Sequence, residues 1–273
     1  MKDSITLIDG HVHFYNCFNQ ESFFNSAWKN FVAQANKYSV EKNIICVLML
    51  TETSSHNWFE KLLEEIKTTR DHVHSKTGWI CHQTTGEDES LIAKGPSGEE
   101  IIVIAGRQVI SYEGLEVLAL GTRCTYKDGQ PIETIMDQVW NDNALVVLPW
   151  AVGKWSGKRG RIVTELVRTT KHNAFLLGDN GGRPWVWPTP KVFYIAKEKG
   201  ILILPGSDPL PLSWEIKKVG SFGSVLPVNI SKFRPAKQII NLLNGINCDL
   251  ITFGHLEKIS CFLRNQISLR IRK

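Results

Sequence analysis

The chain repeatedly sets strand-length segments that are apolar throughout beside amphipathic helices, and this restricts its fold more than any other feature. Asn43 to Leu50 carries Ile44-Ile45-Cys46-Val47-Leu48-Met49-Leu50, Ala144 to Leu148 reads Ala-Leu-Val-Val-Leu, and Ile201 to Leu204 reads Ile-Leu-Ile-Leu. Continuous hydrophobicity over such lengths suits strands covered on both faces, as in parallel sheets flanked by helices. The helices fall between them. Trp58, Phe59, Leu62, Leu63 and Ile66 recur at i, i+3, i+4 spacing behind a possible cap at Ser54 or Ser55. Glu21 to Tyr38, Ile132 to Trp140, Gly160 to Lys171 and Pro235 to Asn244 also read as helices, as does a segment opened by Thr189-Pro190 and closed by Gly200. Between Gly78 and Gly121 the pattern changes to short strands and tight turns, which predicts an inserted β-hairpin.

A chain of 273 residues can build one large core, and α/β barrels of this length are commonly one domain. Seven or eight βα units, with no glycine-rich phosphate loop after the first strand, favour a distorted (β/α)7-8 barrel over an open doubly wound sheet. No apolar run approaches the roughly 18 residues that span a bilayer, and the N-terminus enters its first strand without a signal core, so a cytoplasmic protein is expected. Cys17, Cys46, Cys81, Cys124, Cys248 and Cys261 are scattered without a C-x-x-C pair and read as reduced, mostly buried thiols. The net charge of +5 is unevenly placed: Lys154, Lys158, Arg159 and Arg161 lie together, and residues 264–273 form a basic tail with Arg264, Arg270, Arg272 and Lys273. Without a nucleic-acid-binding motif, this points to a small anionic partner.

The first strand, Ile5-Thr6-Leu7-Ile8, ends in Asp9-Gly10-His11-Val12-His13. Residues i and i+2 of an extended segment share a side, so the two imidazoles can reach one point, and imidazole is a frequent transition-metal ligand. Active sites of parallel barrels lie at the carboxyl ends of strands. Those ends offer His11 and His13; Glu52; Arg107 and Gln108; Trp150 and Lys154; Asp179, Asn180 and Arg183; and Asp208. Imidazoles, carboxylates and cations together suit metal-assisted hydrolysis.

In that order, Asp9-Gly10-His11-Val12-His13, Gly106-Arg107-Gln108-Val109-Ile110-Ser111 with Glu113 to Gly121, and Gly206-Ser207-Asp208 resemble the PHP (polymerase and histidinol phosphatase) family of metal-dependent phosphoesterases. More loosely they resemble the wider amidohydrolase-like barrels. The resemblance runs over residues 5 to 210 and implies a (β/α)7 barrel, a cluster of up to three metal ions, and metal-ligand roles for His11, His13 and Asp208. The departures are specific. Thr51-Glu52-Thr53 stands where the family has Thr-Asp-His, Gln108 replaces a bridging glutamate, Pro149-Trp150 stands in place of a histidine, and Pro209-Leu210 follows the late aspartate. A neutral amide cannot bridge two cations as a carboxylate does. The expectation is therefore one divalent ion (Zn, Mn or Fe) held by His11, His13 and Asp208, with Gln108 or Glu52 completing the shell.

The glycine-rich, cationic stretch from Trp150 to Gly160 and the segment Gly178 to Pro184 suggest where an anion would sit. Arg107, Trp150, Lys154, Arg159, Asn180 and Arg183 are the expected substrate-binding residues. Lys154 and Arg183 are also expected to act in catalysis, and Asp179 is either a general acid or base or the group that orients Arg183. His56, His72, His74, His82 and His172 have no partner spacing and read as solvated, whereas His255 follows a late strand that faces the barrel mouth. The resulting expectation is a hydrolase acting on a phosphoester of a small anionic substrate. The alternatives are a metal-depleted barrel that binds a ligand or partner without catalysis, and a hydrolase of C–N bonds.

Overall fold

The computed structural model describes residues 4–38, 44–68, 78–170, 174–246 and 249–271. His72, His74, His172, Cys248, Arg272 and Lys273 lie outside the described residues. The strands are β1 (Ile5–Val12), β2 (Ile44–Leu50), β3 (Ile80–Gln83), β4 (Ser90–Lys94), β5 (Glu100–Ile104), β6 (Gly106–Ile110), β7 (Glu116–Leu120), β8 (Leu145–Pro149), β9 (Leu176–Asn180), β10 (Ile203–Gly206), β11 (Gly223–Leu226) and β12 (Ile251–Phe253). The helices are α1 (Gln20–Ala35), α2 (Trp58–Thr68), α3 (Ile132–Asn141), α4 (Gly157–Thr169), α5 (Lys191–Glu198), α6 (Pro235–Gly245) and α7 (Ile259–Ile271), with a 3-10 turn at Ser213–Lys218.

These strands form two mixed sheets and not a closed barrel. One has seven strands in the order β12-β11-β1-β2-β5-β4-β3, the other five in the order β10-β9-β8-β7-β6. In the first, β1, β2 and β5 are parallel while β11, β12, β4 and β3 enter antiparallel. In the second, β10, β9 and β8 are parallel, and β7 and β6 return antiparallel. The expected (β/α)7-8 ring fails because closure needs a continuous ladder of strands. Among the described residues the sheets are joined at one seam by a single parallel bridge, Glu52 to Arg107. At the other seam β10 lies against β1 through close packing, without a ladder. Neither the inserted hairpin nor the number of βα units decides this; the seams without a ladder do.

The apolar strands are explained by a layered arrangement in which each sheet is covered twice. Cys46, Leu48 and Leu50 of β2 join Phe23, Phe31 and Phe59 on the helical side of the first sheet. The intervening Val47 and Met49 turn inward, where they meet Leu118 and Leu120 of β7 and Leu145 and Val147 of β8. Val117, Ala119, Val146 and Leu148 point outward again, into a third core beneath α3, α4 and α5. One strand thus feeds two cores by its two-residue alternation.

Most element boundaries agree with the periodicity, with three informative shifts. Gly106–Ile110 is a strand in its own right. Helix α2 is capped by Glu52 and not by Ser54 or Ser55: the Glu52 carboxylate accepts from Trp58 N at 2.5 Å and Phe59 N at 3.4 Å. Helix α5 begins at Lys191, one residue later than Thr189 as cap would place it, with Pro190 in the cap position. The basic segment at residues 264–273 belongs to α7 as far as it is described, with Arg264 lying over the Trp214 ring. Of the described cysteines only Cys46 and Cys81 are buried; Cys17 and Cys124 are exposed, so the expectation of mostly buried thiols does not hold. Among the described residues no helix is long and apolar enough to cross a membrane.

Candidate metal centre

The seam between the sheets is where β1 and β10 end. Gly206 packs so closely that a Cβ there would lie 2.3 Å from the backbone nitrogen of His11, which leaves glycine as the residue that fits. Asp9, wholly buried, locks the junction: its carboxylate accepts from Ser207 N and Gly220 N at 2.8 Å each and from His11 N at 3.4 Å. Burial pushes the Asp9 carboxyl up to about 6, and these donors work against that push. The next residues after β10 complete the site. Asp208 N donates to His11 O at 2.8 Å, and Asp208 takes a left-handed backbone conformation with φ of 44°, unusual for a residue with a side chain.

His11, His13 and Asp208 converge from these elements. The two Nε2 atoms are 3.1 Å apart, and Asp208 Oδ1 is 3.5 Å from each. Donors about 2.1 Å from a tetrahedral ion stand about 3.4 Å apart, so the three atoms match one face of such a coordination shell. Both imidazoles are buried, and burial together with the neighbouring His11 pushes His13 down to about 3, so its ring is neutral at physiological pH, the form that binds a metal. Thr51 Oγ1 lies 3.4 Å from His13 Nε2, and Tyr15 stacks on the His13 ring. The other carboxylate oxygen, Asp208 Oδ2, accepts from Asn180 Nδ2 at 2.5 Å, while Asn180 Oδ1 accepts from Gly182 N, so the Asp208 carboxylate is oriented by a side chain that is itself fixed. The buried His11-His13-Asp208 group can therefore hold a metal ion.

The other expected site residues fall around this cluster in different roles. Glu52 lies outside it: burial raises the Glu52 carboxyl, while the α2 backbone donors and Arg107, 3.5 Å away, offset that cost. Arg107 also donates to His56 O and Asn57 Oδ1. Gln108 Oε1 is buried with no hydrogen-bond partner among the described residues, in a small cavity it shares with Glu52, His56 and Arg107. Lys154 pairs with Glu116 at 3.3 Å. Arg159 donates to Gly153 O and Gly114 O, closing the glycine-rich loop on itself. Asp179 receives both Nε and Nη2 of Arg183, at 3.0 and 2.8 Å, so orientation of Arg183 is the role its geometry supports. Arg183 lies 6.0 Å from the Trp150 ring centroid. The four cations expected to clamp a substrate thus have partners within the protein; Arg107 and Arg183 are the buried ones, where an unpaired guanidinium would be costly.

Two neighbours of the cluster are not singled out by the sequence. Lys218, on the 3-10 turn, lines a cavity of about 100 Å³ together with Asp208, Asn180 and Glu257. Burial pulls its pKa down, but Glu215 at 3.4 Å and Glu257 at 3.1 Å more than reverse this, so the ammonium is held above its usual value. The turn bears no periodicity that would separate Lys218 from its exposed neighbour Lys217. His56, expected to be solvated, bonds Thr53 Oγ1 at 2.8 Å and packs edge-on against Tyr15. His255 is exposed and takes no part in the cluster.

Fold and site together define an α/β protein of two facing sheets with a His-His-Asp group at their seam. No protein-family model matches the chain, and no curated protein matches it in sequence. Among solved structures it is similar to the crystal structure of PsfC from Pseudomonas syringae PB-5123, at 12% identity and a TM-score of 0.58, over 99% of this chain and 100% of that one. At this identity the likeness concerns the fold alone.

Proposed function

We propose that the protein is a metal-dependent hydrolase centred on His11, His13 and Asp208, with phosphoesters as its substrate class. The observation that carries this reading is the spacing of the three donor atoms, between 3.1 and 3.5 Å, in a buried setting with a neutral imidazole. Zn, Mn and Fe are all compatible with two nitrogens and one carboxylate oxygen. A divalent ion held there supplies Lewis-acid polarisation of a substrate oxygen and lowers the pKa of water. Asn180 fixes Asp208, and Lys218 places a positive charge on the wall of the adjoining cavity, where negative charge develops on the substrate. The choice of phosphoesters comes from the motif resemblance around His11-Val12-His13 and Gly206-Ser207-Asp208.

Elemental analysis of protein purified without chelator tests this: about one divalent ion per chain is expected, falling at least tenfold in His13→Ala, together with phosphoesterase turnover. A site that is empty and also refuses Zn²⁺ and Mn²⁺ sinks the reading. The internal pairing of Arg107, Lys154, Arg159 and Arg183 favours a second reading, a metal-binding protein that holds a ligand without turnover. Metal retention without hydrolysis on panels of phosphoesters and cyclic amides would select it; turnover on the amides alone would select C–N hydrolysis.

A further inference from the structure

Along the outer side of the five-stranded sheet, a cleft of about 720 Å³ opens between α4 and the start of α5, and none of His11, His13, Asp208 or Lys218 lines it. Its volume is that of a small-molecule site. Three indoles border it: Trp150, which is nearly buried, Trp155, braced edge-on by Phe193, and Trp187, which is 40% exposed and braced by Trp150 and Phe262. Indoles held in fixed positions by other rings offer flat apolar surface at little entropic cost.

The charge on the same walls is one-sided. Arg161 and Arg168, two turns apart on one side of α4, and Lys191 at the start of α5 face a single acid, Glu165. Unlike Arg107, Lys154, Arg159 and Arg183, these three cations have no side-chain ion pair or hydrogen bond among the described residues, and all three are exposed. The first turn of α5 adds to this, because Pro190 occupies its cap position and no side chain caps the helix. A flat ring and an anionic group on one ligand satisfy both halves of the cleft; a sugar would leave the cations unused, and an inorganic anion would leave the indoles bare.

We propose that this cleft binds a nucleoside phosphate, its base against the indoles and its phosphates between Arg161, Arg168 and Lys191. Titration calorimetry without added metal tests it, using ADP, adenosine and pyrophosphate on the full chain. ADP is expected to bind saturably, with adenosine and pyrophosphate each at least tenfold weaker. The double variant Arg161→Ala, Arg168→Ala should weaken ADP at least tenfold and Trp187→Ala at least fivefold. All of these positions are exposed, and unchanged thermal midpoints would show that the variants fold. His13→Ala should bind ADP as the parent does. The proposal is overturned if ADP gives no saturable binding up to millimolar concentration or if the cleft variants bind it unchanged. Loss of ADP binding in His13→Ala would likewise overturn it, by placing the phosphates at the His-His-Asp group. Because no readout involves metal or turnover, the result is separate from that of the hydrolase reading.

Discussion

Asp9 has the most demanding position of any single side chain here, since one carboxylate serves three backbone donors from three parts of the chain. Replacing it with Asn keeps an oxygen for Ser207 and His11 but turns an amide NH₂ toward the Gly220 N–H, donor against donor. A buried donor without an acceptor costs about 1–3 kcal/mol. Asp9→Asn should therefore lower the unfolding free energy from urea titration by that much, and a variant as stable as the parent would show that the junction does not depend on this carboxylate. At this same scale the sequence was informative about His11, His13 and Asp208, because ligand geometry follows from position at a strand end. It does not reveal that Glu52 caps α2 or that the four cations have partners within the protein. A carboxylate at a strand end serves equally as metal ligand or as cap for the next helix, and only the path of the chain from Thr53 to Trp58 decides between them.

Among elements, α2 and the segment after β7 are joined across the two sheets by Glu60 and Arg123, whose guanidinium meets the carboxylate through two bonds of 2.6 and 2.7 Å. The hydrogen bonds from Arg123 hold Glu60 below its ordinary pKa. A carboxylate depressed in the folded state stabilises the protein above its unfolded pKa of about 4.3, and that stability is lost as pH falls through the folded value. Glu60→Gln is thus expected to cost about 1 kcal/mol at pH 7, with the gap closing below about pH 4. Denaturant titrations of both proteins at the two pH values check this, and a gap independent of pH would exclude the ion pair as its source. Strand positions were legible for a related reason. Alternation and apolar runs depend on burial near the residue itself, whereas the direction of β7 or β11 depends on how the chain returns, which neither Glu116–Leu120 nor Gly223–Leu226 encodes.

For the whole molecule, the inner core formed by Val47, Met49, Ile102 and Ile104 from one sheet and Leu118, Leu145, Val147 and Leu204 from the other makes each sheet the partner of its neighbour. Neither can lose it without exposing the opposite face. Leu118→Ala should cost about 2–5 kcal/mol, and circular dichroism and tryptophan fluorescence should report the same single transition before and after the change. Separate transitions would show that the sheets unfold independently. This shared layer is also why the barrel expectation was reasonable and incorrect: facing sheets under outer helices bury both sides of a strand as thoroughly as a closed ring does, so Ile44–Leu50 reads the same in either.

The three side chains of the candidate metal centre come from opposite sides of that division, His11 and His13 from the end of the seven-stranded sheet and Asp208 from just beyond the five-stranded one. An ion bound between them would cross-link the two sheets. By mass action a ligand that binds only the folded state adds about 4 kcal/mol of apparent stability at a thousand times its dissociation constant. If the group holds an ion, the melting temperature would rise with free metal, whether or not the site performs a reaction.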